Sequence, residues 1–139
     1  MWLHIKMTCV WDSLMRGIRS EDWNERIGVN REQARHRPEL FVEALKRLNR
    51  HTPRVSWQGE FPSEQQQREN VEWVRDYRTV GIRGGHMTSA ADPFFYLLSD
   101  VLQASIVHRH RQYTMRFEPT AASRYEICVR SDGGHMSAC

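Results

Sequence analysis

The order in which the periodic segments of this chain follow one another constrains its fold more than any other feature. Helical patterns fill the first half, and strand patterns close the last third. Thr8 offers an N-cap oxygen to a first helix, in which Val10, Leu14 and Ile18 recur on one face. Ser20 caps a second, with Glu21 and Asp22 in its first turn and Trp23 and Ile27 facing inward. Pro38 suits the first turn of a third, whose apolar stripe is Phe41, Ala44, Leu45 and Leu48. Residues 51–62 contain Pro53, Gly59 and Pro62 and read as loop. Ser63 and Gln66 form a capping box for a polar helix reaching about Asp76, with Val71 and Val74 as its contact points. A short strand candidate at 79–82 is broken by Gly84-Gly85, and Asp92-Pro93 then opens a helix apolar nearly all round, hence buried. Three strand candidates follow, at 105–109, 113–117 and 125–129. Helices first and strands last predict an α+β fold, with helices packed on a small, mainly antiparallel sheet.

Length and composition narrow the class. A chain of 139 residues makes a single domain, 1–139. With 40% apolar and 27% charged residues it is neither disordered nor membrane-buried. No apolar run approaches the roughly 20 residues that a membrane span needs, and residues 1–8 lack the small-residue cleavage site of a signal peptide. A net charge of +3 fits a mixed, solvated surface. Gly-Gly-His-Met occurs at 84–87 and again at 133–136, but the differing flanks argue against a repeat. Three cysteines, Cys9, Cys128 and Cys139, are an odd number with no close pair. They predict no disulfide framework and a reducing compartment such as the cytoplasm.

Among these cysteines, Cys9 stands at the address a nucleophile needs. The thiolate is the reactive form, and the amides and dipole of a helix N-terminus favour negative charge. The same amides can donate to an oxyanion when a thiolate attacks a carbonyl. The plainer alternative is a small buried residue. Cys128, between Ile127 and Val129, reads as structural, and Cys139 as an ordinary terminal thiol. A thiolate needs a base, and histidine is the usual one. Of the seven histidines, His135 follows Asp132-Gly-Gly near a strand candidate, far along the chain from Cys9. His108 and His110 alternate on one strand face, but no third ligand is spaced near them, so no metal and no cofactor are expected.

The run Cys9-Val10-Trp11-Asp12-Ser13-Leu14 resembles the nucleophile motif of the ovarian-tumour (OTU) family of cysteine proteases. Gly134-His135-Met136 resembles that family's histidine motif. Between them, the charged segment from Asn30 to Phe41, the run into a Gly-rich turn, and the helix leading to Ile106-Val107-His108 follow a similar order. The likeness extends over nearly the whole chain. Where the family has Asp-Gly-x before the nucleophile this chain has Lys6-Met7-Thr8, and Ser137 stands where an Asn or Asp often orients the histidine.

The resemblance implies a papain-like OTU fold with Cys9 as nucleophile and His135 as base. Ser137 would be the orienter, with Asp132 as the alternative, or the site would be a dyad. It implies ubiquitin, a ubiquitin-like protein or a viral polyprotein as substrate, and the host cytoplasm if the source is viral. It names no membrane partner. Two other readings stand beside it. One is an inactive OTU-like module that binds a protein. The other is a small basic RNA-binding protein using Arg109, Arg111 and Arg116, disfavoured because only Tyr113 lies among them as a stacking residue.

Overall fold

Alternating burial along the last third of the chain builds a sheet whose inner positions carry the core. The structure, a computed structural model, describes residues 5–79, 86–87, 92–132 and 135–139, with backbone alone at 5–8, 86 and 87. Five strands form the sheet: β2 (Val55–Trp57), β4 (Ser105–His110), β5 (Tyr113–Pro119), β6 (Glu126–Asp132) and β7 (His135–Ala138), in the order β2-β5-β4-β6-β7. The pair β4–β6 is parallel, and the other three pairs are antiparallel. A small second ladder joins β1 (Ile5–Lys6) to β3 (His86–Met87). The fold is α+β, as the order of periods predicts.

Helices cover the sheet. The described residues include α1 (Met7–Gly17), α2 (Ser20–Asp22) running into a π-helical turn (Trp23–Ile27), α3 (Arg31–His36), α4 (Pro38–Arg47), α5 (Glu64–Asp76) and α6 (Asp92–Leu102). Ser63 caps α5 by accepting the Gln66 amide at 3.1 Å, but the Gln66 side chain donates to Asn70 Oδ1 at 2.9 Å, so the N-cap forms where the sequence places it and the reciprocal half of the capping box is not made. Helix α6 buries Phe94, Phe95, Leu97, Leu98, Val101 and Leu102 against the sheet. Trp11 is wholly buried, with its ring 4.9 Å from Phe94 and edge-on to Phe41 and Tyr77. A fully buried Trp of this kind is worth about 3–5 kcal/mol against truncation. It fixes α1, and with it Cys9, two residues before. No helix among the described residues is long and apolar enough to cross a membrane.

Several expectations are corrected in detail. Helix α1 starts at Met7, so Thr8 lies inside it rather than at its cap. Arg19, not Ser20, occupies the N-cap of α2 and makes no side-chain capping bond. Residues 51–62 are not all loop, because Val55–Trp57 pairs with β5 as an edge strand. Of the strand candidate at 79–82, only Thr79 is described and it is not in a strand; the rest lies outside the described residues. The largest correction concerns the cysteines. Cys128 and Cys139 form a disulfide, with Cα atoms 5.3 Å apart, and only Cys9 is free. They look unpaired in sequence because they are 11 residues apart. Once β7 folds back on β6, however, Val129 faces Ala138 and the Cys139 amide donates to the Cys128 carbonyl at 3.1 Å.

Asp22 carries a structural role that its first-turn position does not suggest. It is completely buried, accepts two bonds of 3.1 Å from the Arg124 guanidinium, and accepts the Tyr125 hydroxyl at 2.6 Å. Burial pushes this carboxyl up. The hydrogen bonds from Arg124 and Tyr125, with the charges of Arg124 and Arg26, outweigh burial and hold it below the usual carboxylate range. The network pins the approach to β6 onto α2.

Candidate active site

Cys9 occupies the third position of α1 and is half-buried. An α-helix leaves its first four N–H groups without an intrahelical acceptor, and the amide of Cys9 lies in that first turn. Its carbonyl accepts the Ser13 hydroxyl at 2.6 Å, which tightens the turn beneath it. Helix α1 packs on β6 and β7, and Gly17 is what permits the approach. A Cβ there would meet Ile127 Cγ2 at 2.6 Å.

His135 opens β7, the strand at the sheet edge beside β6, and is exposed. Its Nδ1 lies 3.7 Å from Cys9 Sγ across a sequence separation of 126 residues. The two residues that the sequence selects are thus neighbours, within reach for proton exchange after a small closure. Every element of that contact is distant in the chain. The helix holds one partner by Trp11, and the β6–β7 pairing holds the other.

The third position is where the structure and the sequence expectation part. Ser137 is exposed and faces Arg130 across the β6–β7 ladder. It shares a strand face with His135 but sits two residues along, roughly 7 Å away by strand rise. Asp132, also exposed, faces His135 directly in the register, and opposite residues in such a pair have Cβ atoms about 5 Å apart. Among the described residues neither makes a hydrogen bond to the imidazole. Register therefore makes Asp132 the nearer side chain and Ser137 the farther one.

His108 and His110 belong elsewhere. Both are buried, and both meet the Ser131 hydroxyl, His108 Nε2 at 2.7 Å and His110 Nδ1 at 2.8 Å. One hydroxyl can donate to one ring and accept from the other when both rings are neutral. Burial, and then the proximity of His110, push His108 down to about 4. Among the described residues no three His, Cys, Asp or Glu side chains group so as to hold a metal ion. Of the arginines considered for RNA, Arg116 is ion-paired with Glu118 and Glu126, while Tyr113 is exposed.

Set against known proteins, the chain matches no protein-family model, no curated protein and no solved structure.

Proposed function

We propose that this domain is a cysteine-dependent hydrolase of peptide or isopeptide bonds, with an OTU-type papain-like fold and a thiol–imidazole pair made by Cys9 and His135. The observation that carries the reading is the approach of Cys9 Sγ to His135 Nδ1, 3.7 Å, at the first turn of a buried helix. A free cysteine, a histidine and the amides of a helix's first turn at one spot form the minimum set for acyl transfer.

In the proposed cycle His135 takes the thiol proton, and Cys9 sulfur attacks the substrate carbonyl carbon. Amides around residues 7–9 receive the developing oxyanion. His135 returns the proton to the departing amine as the C–N bond breaks, leaving a thioester on Cys9. Water, deprotonated by His135, then attacks the thioester and releases the acid and the thiol. Asp132, opposite His135 in the register, holds the imidazolium by charge in this scheme, and Ser137 has at most a minor part. Ubiquitin conjugates are the favoured substrate class and a viral polyprotein junction the next.

A ubiquitin probe with a C-terminal electrophile tests the proposal. It should label the wild-type protein once, at Cys9, and label a Cys128→Ser/Cys139→Ser double variant equally. Labelling should vanish in Cys9→Ala and slow at least tenfold in His135→Ala. Equal alkylation of Cys9 in wild type and His135→Ala by iodoacetamide, with no probe labelling, would remove catalysis. Ubiquitin binding without cleavage would then favour the inactive protein-binding module.

A further inference from the structure

A cavity of about 120 Å³ lies between the end of α1 and α3. Buried Met15 and Ile18 form its floor, and exposed Arg16, Arg31 and Arg35 its walls. It shares no residue with the Cys9–His135 pair and stands roughly 10 Å along α1 from Cys9 by helical rise. Pockets for drug-sized ligands run to about 300–1,000 Å³, so this one admits a single small group.

The fold brings three like charges together here at a cost. Asn30 caps α3 by accepting the Gln33 amide at 3.0 Å, and buried Ala34 seats it. Arg31 and Arg35, four apart on this helix, therefore share a face, and like charges so placed repel. Arg31 Nη1 donates to Ser20 Oγ at 3.1 Å, which fixes the arm and leaves its charge uncompensated. Arg16 comes from α1, and its Nε meets Asp12 Oδ2 at 3.1 Å in an exposed pair that engages one of its five donors. Among the described residues no carboxylate lines the cavity, and neither Arg31 nor Arg35 forms an ion pair. Glu32, three residues before Arg35, forms none with it, and Glu21 acts on the Arg124 guanidinium. Asp12 offsets one of the three charges, and the last carbonyls of α1 supply about half a negative charge more. More than one positive charge is left over.

We propose that this cavity binds a phosphoryl dianion, whether free phosphate or the phosphate of a phosphorylated side chain. A phosphate monoester carries about 1.5–2 negative charges at pH 7 and three strong acceptor oxygens. The charge matches the surplus, and the oxygens match the three arginines. Guanidinium forks take phosphate oxygens in pairs, which a lysine ammonium cannot do. A carboxylate brings one charge and two oxygens, and would leave an arginine unanswered. A cation would be repelled, and an apolar group would leave the repulsion between Arg31 and Arg35 in place. The inference does not depend on whether Cys9 hydrolyses anything.

The test uses inorganic phosphate and Nα-acetyl-phosphoserine amide as probes. Nα-acetyl-serine amide, and sodium chloride at matched ionic strength, are the controls. Arginine Nε–H signals in NMR spectra, assigned to Arg16, Arg31 and Arg35 by single Arg→Gln variants, report the site. A phosphate probe should move these three signals, and neither control should. Tighter binding of phosphoserine would identify a phosphorylated partner as the source, and tighter binding of inorganic phosphate the free ion. Arg35→Gln should weaken binding about tenfold, the loss of one charge-assisted hydrogen bond. Without phosphate it should leave the melting temperature unchanged or raise it, because a like-charge neighbour is gone. Excess phosphate should then raise the melting temperature of wild type and not that of Arg35→Gln. Signals unmoved by both phosphate probes, equal shifts with chloride or capped serine, unchanged affinity in Arg35→Gln, or equal stabilisation of that variant by phosphate would each overturn the proposal. None of these outcomes bears on labelling of Cys9.

Discussion

Replacing Gly17 by Ala tests how closely the helix bearing Cys9 must lie against the sheet bearing His135. The added Cβ would stand 2.6 Å from Ile127 Cγ2, 3.1 Å from Cγ1 and 3.2 Å from Cβ. Carbon atoms rest at about 3.5–4.0 Å, so roughly 1 Å must be found. Ile127 is 0% exposed, and its branched Cβ leaves it little rotamer freedom. It cannot swing aside, and the helix must move. Overpacking of this kind costs about 1–3 kcal/mol, while Ala gains at most about 1 kcal/mol over Gly in a helix. The smaller gain applies here, because Gly17 is the last residue of α1. The net expectation is a loss of about 1–2 kcal/mol. Urea denaturation followed by tryptophan fluorescence measures it. Labelling at Cys9 should also slow, since displacing α1 lengthens the 3.7 Å contact with His135. The control is Ile127→Ala, which removes both clashing γ-carbons. In that background Gly17→Ala should cost nothing or stabilise slightly. Stabilisation by Gly17→Ala in the wild-type background, or the same cost in both backgrounds, would show that the close approach is not the constraint.

The buried histidine pair predicts acid lability. His108 has its pKa held at about 4, below the ordinary 6.5, by burial and by His110. Between those values the unfolded chain binds the extra proton, so this contribution is complete above pH 6.5 and lost as pH falls to 4. It amounts to about 3 kcal/mol, and His108→Phe should flatten the dependence of the urea midpoint on pH in that window. The Cys128–Cys139 disulfide closes a loop of separation 11, worth about 2–3 kcal/mol by loop entropy. Reductant should lower the urea midpoint accordingly yet leave Cys9 labelling intact, and an unchanged midpoint would dismiss the bridge as a stabiliser. Asp132→Ala should slow labelling of Cys9 more than Ser137→Ala does, because Asp132 faces His135 in the register. The reverse ranking would return the orienting role to Ser137.

Local signals made most of the helices legible. Ser63 and Gln66 mark the start of α5, Pro38 that of α4, and the unbroken apolar run after Asp92 that of α6, because each depends on residues within one turn. The strand at Val55–Trp57 was hidden because it is short, follows Pro53, and owes its existence to β5, over fifty residues away. Asp22 was equally opaque. An acidic residue near a helix start has a local explanation, and only the folded chain brings Arg124 and Tyr125 onto it.

The candidate site divides along the same line. Cys9 was legible from its place at a helix start, and His135 from its place beside a strand candidate far along the chain. Choosing between Ser137 and Asp132 required the β6–β7 register, which sequence proximity does not supply. Residues two apart along a strand share a face but stand farther from each other than residues paired across a ladder. The disulfide follows from the same register, since the pairing that sets Asp132 against His135 also brings Cys139 beside Cys128. One hairpin thus decides both what neighbours the histidine and what ties its strand to the sheet. The free cysteine belongs to neither arrangement. It reaches His135 only because Trp11 and Gly17 let α1 lie against that hairpin, so the chemistry proposed for Cys9 rests on packing residues that carry no chemistry themselves.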